Sequence, residues 1–331
     1  MNHRKLFTVI FIAAFSALLF IAATEDNAYI SHQVKKGESV SLLCIEIYGY
    51  YSDALGKAFA ADNPKVKNIN LIYVGQTIRF RKPVQDAVAE KEDVADTVSV
   101  FRKKVDATQG VVTYVEGKAY ITKKDAGTPV DLVANSLVYP GDVLKTRATG
   151  RVELIINRES VVRMKENTEL TIEAFRDIAK KEGTTSLNFS IGSVWSKMKK
   201  FKDSISRFEL ELPTAIAGVH GTVYNTTVNS DQSAEVKVYE GEVAVSGSKK
   251  QEEKAPLPGA LHEIGPPREI AGPHEVSMEE WTLIVRSMQL ITIDKQGVPS
   301  DASDFRKSAD DDWERWNEER DKRIAEMFME R

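Results

Sequence analysis

Only one cysteine, Cys44, occurs among the 331 residues, so the chain can form no internal disulfide and no cysteine-built structural zinc site, both of which need several thiols. Histidine is scarce as well. His3, His32, His220, His262 and His274 stand at no spacing that would put two on one face of a helix or strand, which excludes the helix-borne zinc-peptidase pattern. No Gly-x-Ser-x-Gly elbow is present and Cys44 has no local histidine, so serine-hydrolase and cysteine-peptidase nucleophiles are missing. Basic charge is not in excess either: 45 Lys and Arg face 49 Asp and Glu, a net charge of -4 with pI near 5.9, the wrong sign for a dedicated nucleic-acid binder. These absences leave no catalytic residue, no metal site and no cofactor to name. Carboxylates are plentiful, and two of them at ~5–10 Å suffice for a glycosidase, so glycan cleavage stays open.

What is present is ordinary for folded protein, with 42% hydrophobic and 28% charged residues, and the length suits two or three compact units. Residues 1–28 read as an export signal: Arg4 and Lys5 precede an apolar run from Leu6 to Ala23 broken only by Thr8 and Ser16. The run nears the ~18 residues that begin to span a bilayer, so cleavage after Ala22 and Ala23 and retention as an anchor are both open. No cysteine follows it, which excludes lipoprotein attachment. The expected location is the periplasm or cell envelope.

Residues 31–83 predict a small α+β unit of strand, helix, helix, strand. His32 to Lys35 form a short strand ending at Gly37, and Ser39 is placed to cap a helix. Val40, Leu43, Cys44 and Ile47 follow at i, i+3, i+4 and i+7, and Gly49 stands where a left-handed cap would end that helix. Cys44 therefore belongs to a core-facing stripe. A second helix after Ser52 carries Leu55, Ala58 and Phe59 on one face and stops at Asn63-Pro64. Ile78 and Phe80 alternate with Thr77 and Arg79 as a closing strand. Four pieces of this stretch, His32 to Ser39, Tyr48-Gly49, Asn63-Pro64 and Ile72 to Ile78, resemble the LysM family in order. The resemblance implies a βααβ fold that binds N-acetylglucosamine-containing glycan in a shallow groove. Its walls here would be Gly37, Glu38, Ser39 and Val40 on one side and Asn63, Pro64, Ile69, Asn70 and Leu71 on the other.

Residues 84–109 turn charged and small, with Glu90-Lys91-Glu92-Asp93 at the centre, and predict a linker. Residues 110–247 predict an all-β sandwich or roll, because Val152/Leu154/Ile156, Leu187/Phe189, Phe208/Leu210/Leu212, Val236/Val238 and Val243/Val245 each alternate. This stretch resembles the FecR-type periplasmic domain, through Pro140 to Thr146 with Gly150, Gly192 to Trp195, Pro213 to Thr222 and Val238 to Val243. In signalling proteins of that family an anti-sigma segment precedes the membrane span; here only Met1 to Lys5 precede the apolar run, which disfavours direct sigma-factor control. Residues 248–276 are rich in Pro, Gly and charge. Residues 277–331 predict C-terminal helices: one from the Ser277/Glu280 capping box through Trp281, Ile284, Val285 and Met288, and a charged one starting at Asp310-Asp311-Asp312, with Trp313, Trp316, Ile324 and Phe328 as an uneven stripe. Lys197, Lys199, Lys200 and Lys202 form a basic cluster that reads as a solvated hairpin tip.

The expectation is an exported, non-catalytic envelope protein of several domains. It would bind peptidoglycan or a related N-acetylglucosamine polymer through the first unit and present the β domain or a C-terminal helix to an envelope protein, with no nucleic acid involved. A FecR-type sensor or regulatory subunit is the alternative, and a murein-cleaving enzyme a third.

Overall fold

The structure, a computed structural model, describes residues 28–83, 108–158, 160–180, 182–199, 207–219, 221–247 and 281–329. The predicted signal, nearly all of the predicted linker and extension, the Ser277/Glu280 box, His220 and Lys200 and Lys202 of the basic cluster lie outside these residues. No helix among the described residues is long and apolar enough to cross a membrane.

The N-terminal unit follows the order β1 (Tyr29–Gln33), α1 (Val40–Tyr48), α2 (Asp53–Asp62), β2 (Thr77–Arg81). Its two strands pair antiparallel, with Ser31 opposite Arg79. Ser39 and Ser52 cap the helices, each hydroxyl accepting an N–H three residues on at 3.2 Å. Gly49, at φ 87°, ends α1 in the left-handed conformation. Asn63 ties the end of α2 to β2: its Nδ2 donates to Phe59 O and Arg79 O, and its Oδ1 accepts from the Arg79 N–H.

The β body is one curled sheet of two layers. The first layer runs β6 (Leu137–Val138), β3 (Gly110–Glu116), β8 (Arg151–Ile156), β9 (Ser160–Met164), the C-terminal half of β11 (Thr184–Met198), β14 (Val223–Val228), β15 (Ala234–Glu240), β18 (Gln289–Ile293) and β19 (Ser303–Asp304). The second runs β5 (Pro129–Asp131), β4 (Ala119–Thr122), β7 (Val143–Thr146), β10 (Glu169–Ala174), the N-terminal half of β11, β12 (Arg207–Glu211), β13 (Ala215–Val219), β16 (Glu242–Gly247) and β17 (Thr282–Arg286). The long strand β11 thus belongs to both layers and bends between them at Gly192, whose φ of 107° and distance of 2.3 Å from a hypothetical Cβ to Thr168 Oγ1 exclude any side chain. Val152, Leu154, Ile156, Leu187, Phe189, Phe208, Leu210, Val236, Val238, Val243 and Val245 share one core between the layers. At ~1.5–3 kcal/mol for each large apolar side chain removed from water, that core dominates stability.

A strand, β17, stands where the apolar spacing predicts the first C-terminal helix. Val285 lies opposite Val243 of β16, and a turn at Ser287-Met288, with Met288 at φ 63°, returns the chain into β18. Trp281 and Val285 are four residues apart, a spacing shared by one face of a helix and one face of a strand. The β-branched Ile284 and Val285 and the open edge of β16 decide for the strand. The second predicted helix is present as α3 (Asp312–Met329). Asp311 Oδ1 accepts from the N–H groups of Trp313 and Glu314, and Asp312 and Glu314 place negative charge in the first turn.

The parts are not independent beads. Val40, Leu43, Cys44, Tyr48, Leu55 and Phe59 of the N-terminal unit share a second core with Val111, Ile155 and Val161 of the first layer and with Ile324 of α3. Burial among these side chains pushes the Cys44 thiol well above its ordinary range, so the thiolate is suppressed.

Substituting Gly192→Ala should lower stability by about 3 kcal/mol or more, since strain and a clash act together, whereas Gly75→Ala, with open space around its Cβ position, should cost about 1 kcal/mol. Urea unfolding of the two variants checks the ranking; equal losses would contradict the bend assigned to Gly192.

Candidate binding surface where three units meet

Along the outer face of the first layer, Glu153 lies opposite Arg163, Arg163 opposite Trp195, and Trp195 opposite Asn225, a single row across β8, β9, β11 and β14. Alternation in a strand turns these residues away from the core and, on a lone sandwich, into solvent. Here α3 covers the row. Trp313 Nε1 donates to Asn225 Oδ1 at 2.9 Å, Trp195 Nε1 donates to Asp321 Oδ2 at 3.2 Å, and the Tyr239 hydroxyl donates to Glu314.

The centre is ionic. Arg163 Nε donates to Glu153 Oε2 at 2.8 Å and its Nη1 to Asp321 Oδ1 at 2.7 Å and Asn317 Oδ1 at 3.2 Å. Arg320 grips the same carboxylate in two-pronged fashion, Nε to Oε2 and Nη2 to Oε1, both at 2.7 Å, and the Thr113 hydroxyl adds a bond at 2.7 Å. Glu153 and Arg163 have no exposed side-chain surface at all. Burial alone would raise the Glu153 carboxyl, but Arg320 and Arg163 outweigh it and hold the carboxyl far below its usual range.

Arg320 and Arg323 continue from this network into the N-terminal unit. Arg320 Nη1 donates to Gly37 O at 3.3 Å, and Arg323 donates to Lys36 O and pairs with Glu38. Glu38 also accepts from the Lys35 N–H at 2.6 Å and lies 2.7 Å from His32 Nε2. Burial opposes ionisation of Glu38, yet the Lys35 N–H, His32 and Arg323 together hold its carboxyl below the ordinary value. An open cleft of ≈ 780 Å³ lies beside this junction, with Lys36, Tyr114, Arg151, Asn167, Trp316 and Arg320 among its walls.

The predicted groove residues fall into three groups. Gly37 and Glu38 are engaged by α3, as above. Ser39 and Val40 are buried, and the next N–H, that of Ser41, donates to Asn135 Oδ1 at 2.7 Å. The facing wall is reached through the same side chain, since Asn135 Nδ2 donates to Ile69 O at 3.0 Å and Asn70 Oδ1 at 2.8 Å. Asn63 spends its amide on β2, while Pro64 and Leu71 are exposed. Asn135, Glu153, Arg163, Arg320 and Asp321 carry the junction, and nothing local in the sequence marks them: a charge on the outward side of a strand reads as solvated until its partner, more than 150 residues away for Glu153 and Arg320, is known. Among the described residues, no group of three or more His, Cys, Asp or Glu could hold a metal ion.

Residues 142–244 match the family described as FecR protein. They form a FecR domain. It spans β7 through the first half of β16, so Glu153, Arg163 and Trp195 lie inside it while α3 and the N-terminal unit lie outside. No protein of curated description matches the chain. Two crystal structures of a protein from Parabacteroides distasonis ATCC 8503, described as an anti-sigma factor, align with 11% identity over 49% of this chain at a TM-score of 0.33, a likeness too loose to place any residue. The chain spans 59% of the length of that protein.

Removing one member of the buried network should destabilise strongly: Arg163→Met should cost about 3–5 kcal/mol in urea unfolding, because it takes away one of the two guanidinium groups on buried Glu153 and the near ion partner of Asp321. The Glu153 carboxyl, held below its unfolded value near ~4.3, contributes stability that is complete above that pH and fades as pH falls toward the folded value. Wild-type stability should therefore decline below about pH 4, and Glu153→Gln, weaker at pH 7, should decline less over the same interval. A parallel decline in both proteins would show that Glu153 does not govern the acid limb.

Proposed function

We propose that the chain is a non-catalytic FecR-type sensor or regulatory subunit of the cell envelope. The observation that carries this reading is the FecR domain at residues 142–244 with one face tied, through the Glu153 network, to both the N-terminal unit and α3. A body so connected can pass an event at one end to the other, because a change at Gly37 or Glu38 acts on Arg320 and Arg323 and through them on Glu153. Envelope location is supported by the Arg4-Lys5 and Leu6–Ala23 pattern. The test joins genetics and chemistry: deletion of the gene should change a defined set of transcripts, and photo-crosslinking from the exposed faces of the FecR domain should capture one reproducible membrane protein. An unchanged transcript profile together with no captured protein would overturn the reading.

A second reading, attachment to peptidoglycan or a related N-acetylglucosamine polymer, is supported by the βααβ order of residues 29–81 and by the slot between Ser41 and Ile69-Asn70, whose occupant is an amide. Purified protein should then sediment with insoluble peptidoglycan at physiological salt. Protein that stays wholly in the supernatant would exclude it.

A further inference from the structure

Asn135 is held in a way that a simple turn residue does not require. Its backbone sits in the left-handed region at φ 72°, which is uncommon for a residue with a side chain, and the residue is only 6% exposed. The carboxamide projects from the β body into the N-terminal unit and is satisfied on both sides. On one wall the Ser41 N–H, a first-turn donor of α1 with no partner inside the helix, gives its hydrogen to Oδ1; on the other, Ile69 O and Asn70 Oδ1 receive the two hydrogens of Nδ2. The Ser41 hydroxyl, donating to Val112 O at 3.1 Å, fixes the donor wall against β3.

A slot with one N–H on one wall and carbonyl acceptors on the other selects for a planar amide. A carboxylate has no hydrogen for Ile69 O, and an ammonium has no acceptor for Ser41. The acetamido group of an N-acetylated sugar offers a C=O and one N–H on one plane, enough for the Ser41 N–H and one of the two acceptors that the Asn135 side chain meets. We propose that Asn135 occupies in cis the slot that, on the second reading above, takes the acetamido group of an N-acetylated sugar, so that sugar binding and the seating of the N-terminal unit on the first layer exclude one another. The inference rests on the second reading above and adds to it a cost of access. It also supplies the sensor reading with an input: a sugar that enters the slot releases Ser41 and the 69–70 loop from Asn135, and the 36–38 loop just ahead of that helix is held by Arg320 and Arg323 of α3.

The experiment compares the full chain with Asn135→Gly by calorimetric titration of an N-acetylglucosamine hexamer. Glycine tolerates φ 72°, so this variant removes the carboxamide without straining the turn. Asn135→Gly should bind the hexamer at least about tenfold more tightly, in proportion to the larger fraction of open slots, and the de-N-acetylated hexamer should bind neither protein. Equal affinity of the two proteins overturns occupation in cis while leaving sugar binding intact. Absence of binding to both overturns the sugar reading and this inference with it, and tight binding of the de-N-acetylated hexamer overturns the role of the acetamido group. Thermal melting reports whether Asn135→Gly is folded; if it is not, Asn135→Asp, which keeps an acceptor and loses the donor, must rank above the unsubstituted chain in affinity for the proposal to stand.

Discussion

A carboxylate sealed from water has to be neutralised where it stands, and Glu153 is neutralised by Arg163 on the neighbouring strand and Arg320 on α3, with the Thr113 hydroxyl of β3 adding a hydrogen bond. Asp321 pairs with Arg163 and lies 3.8 Å from Lys197 at the edge, so two acids meet two guanidinium groups and one ammonium. Desolvating each ion costs several kcal/mol, and the attraction between them recovers it only when the geometry is good and the remaining donors are used. The network is consequently weak as a source of net stability. Its force is in specificity: an α3 shifted along the row would still cover it but would part Glu153 from Arg320 and Arg163 from Asp321, leaving buried charge only half compensated.

From this constraint follows the placement of the N-terminal unit. Once Arg320 is pinned at Glu153, its other guanidinium nitrogen reaches Gly37, and Arg323, one turn on, reaches Lys36 and Glu38. Ile324 on the same stretch of helix enters the core that α1 and α2 share with Val111, Ile155 and Val161. Polar register and apolar burial thus act on one helix face. The slot filled by Asn135 lies inside the joint so formed, where the N-terminal unit can be engaged by its own β body or by something else, but not by both.

The parts of this fold that were legible in the sequence are those whose cause is local. Serine caps, the stripe through Val40, Leu43 and Cys44, the alternation through Val152, Leu154 and Ile156, and the acidic start of α3 each record a short-range rule, and each names the face that is buried. Trp281 to Met288 failed because an i, i+4 pair fits strand and helix alike, and the unpaired edge of β16 that settles it lies some forty residues earlier. The two stretches predicted as groove walls, 37–40 and 63–64 with 69–71, gave no sign of the side chain that joins them. Asn135 stands in a turn of unremarkable composition, and only the curl of the first layer brings it to Ser41 and Ile69.

The boundary of the FecR domain gives these observations a common sense. Within residues 142–244 the outward row Glu153, Arg163, Trp195 carries an acid, a base and an indole N–H that a free-standing layer would leave in water. Covering that row requires a segment that brings an amide, a guanidinium and a carboxylate at i, i+3 and i+4 of a helix, as Asn317, Arg320 and Asp321 do, with aromatic residues one turn before them. Few sequences meet that demand, so the face is closed to casual partners. A partner of the FecR domain has therefore either to displace α3 with a helix of matched charge or to use the second layer and the loops at its edges, where Val130 and Ile284 are already exposed. The second course leaves the Glu153 network intact, and with it the link from the β body to the N-terminal unit, which is the condition under which an event at one could be felt at the other.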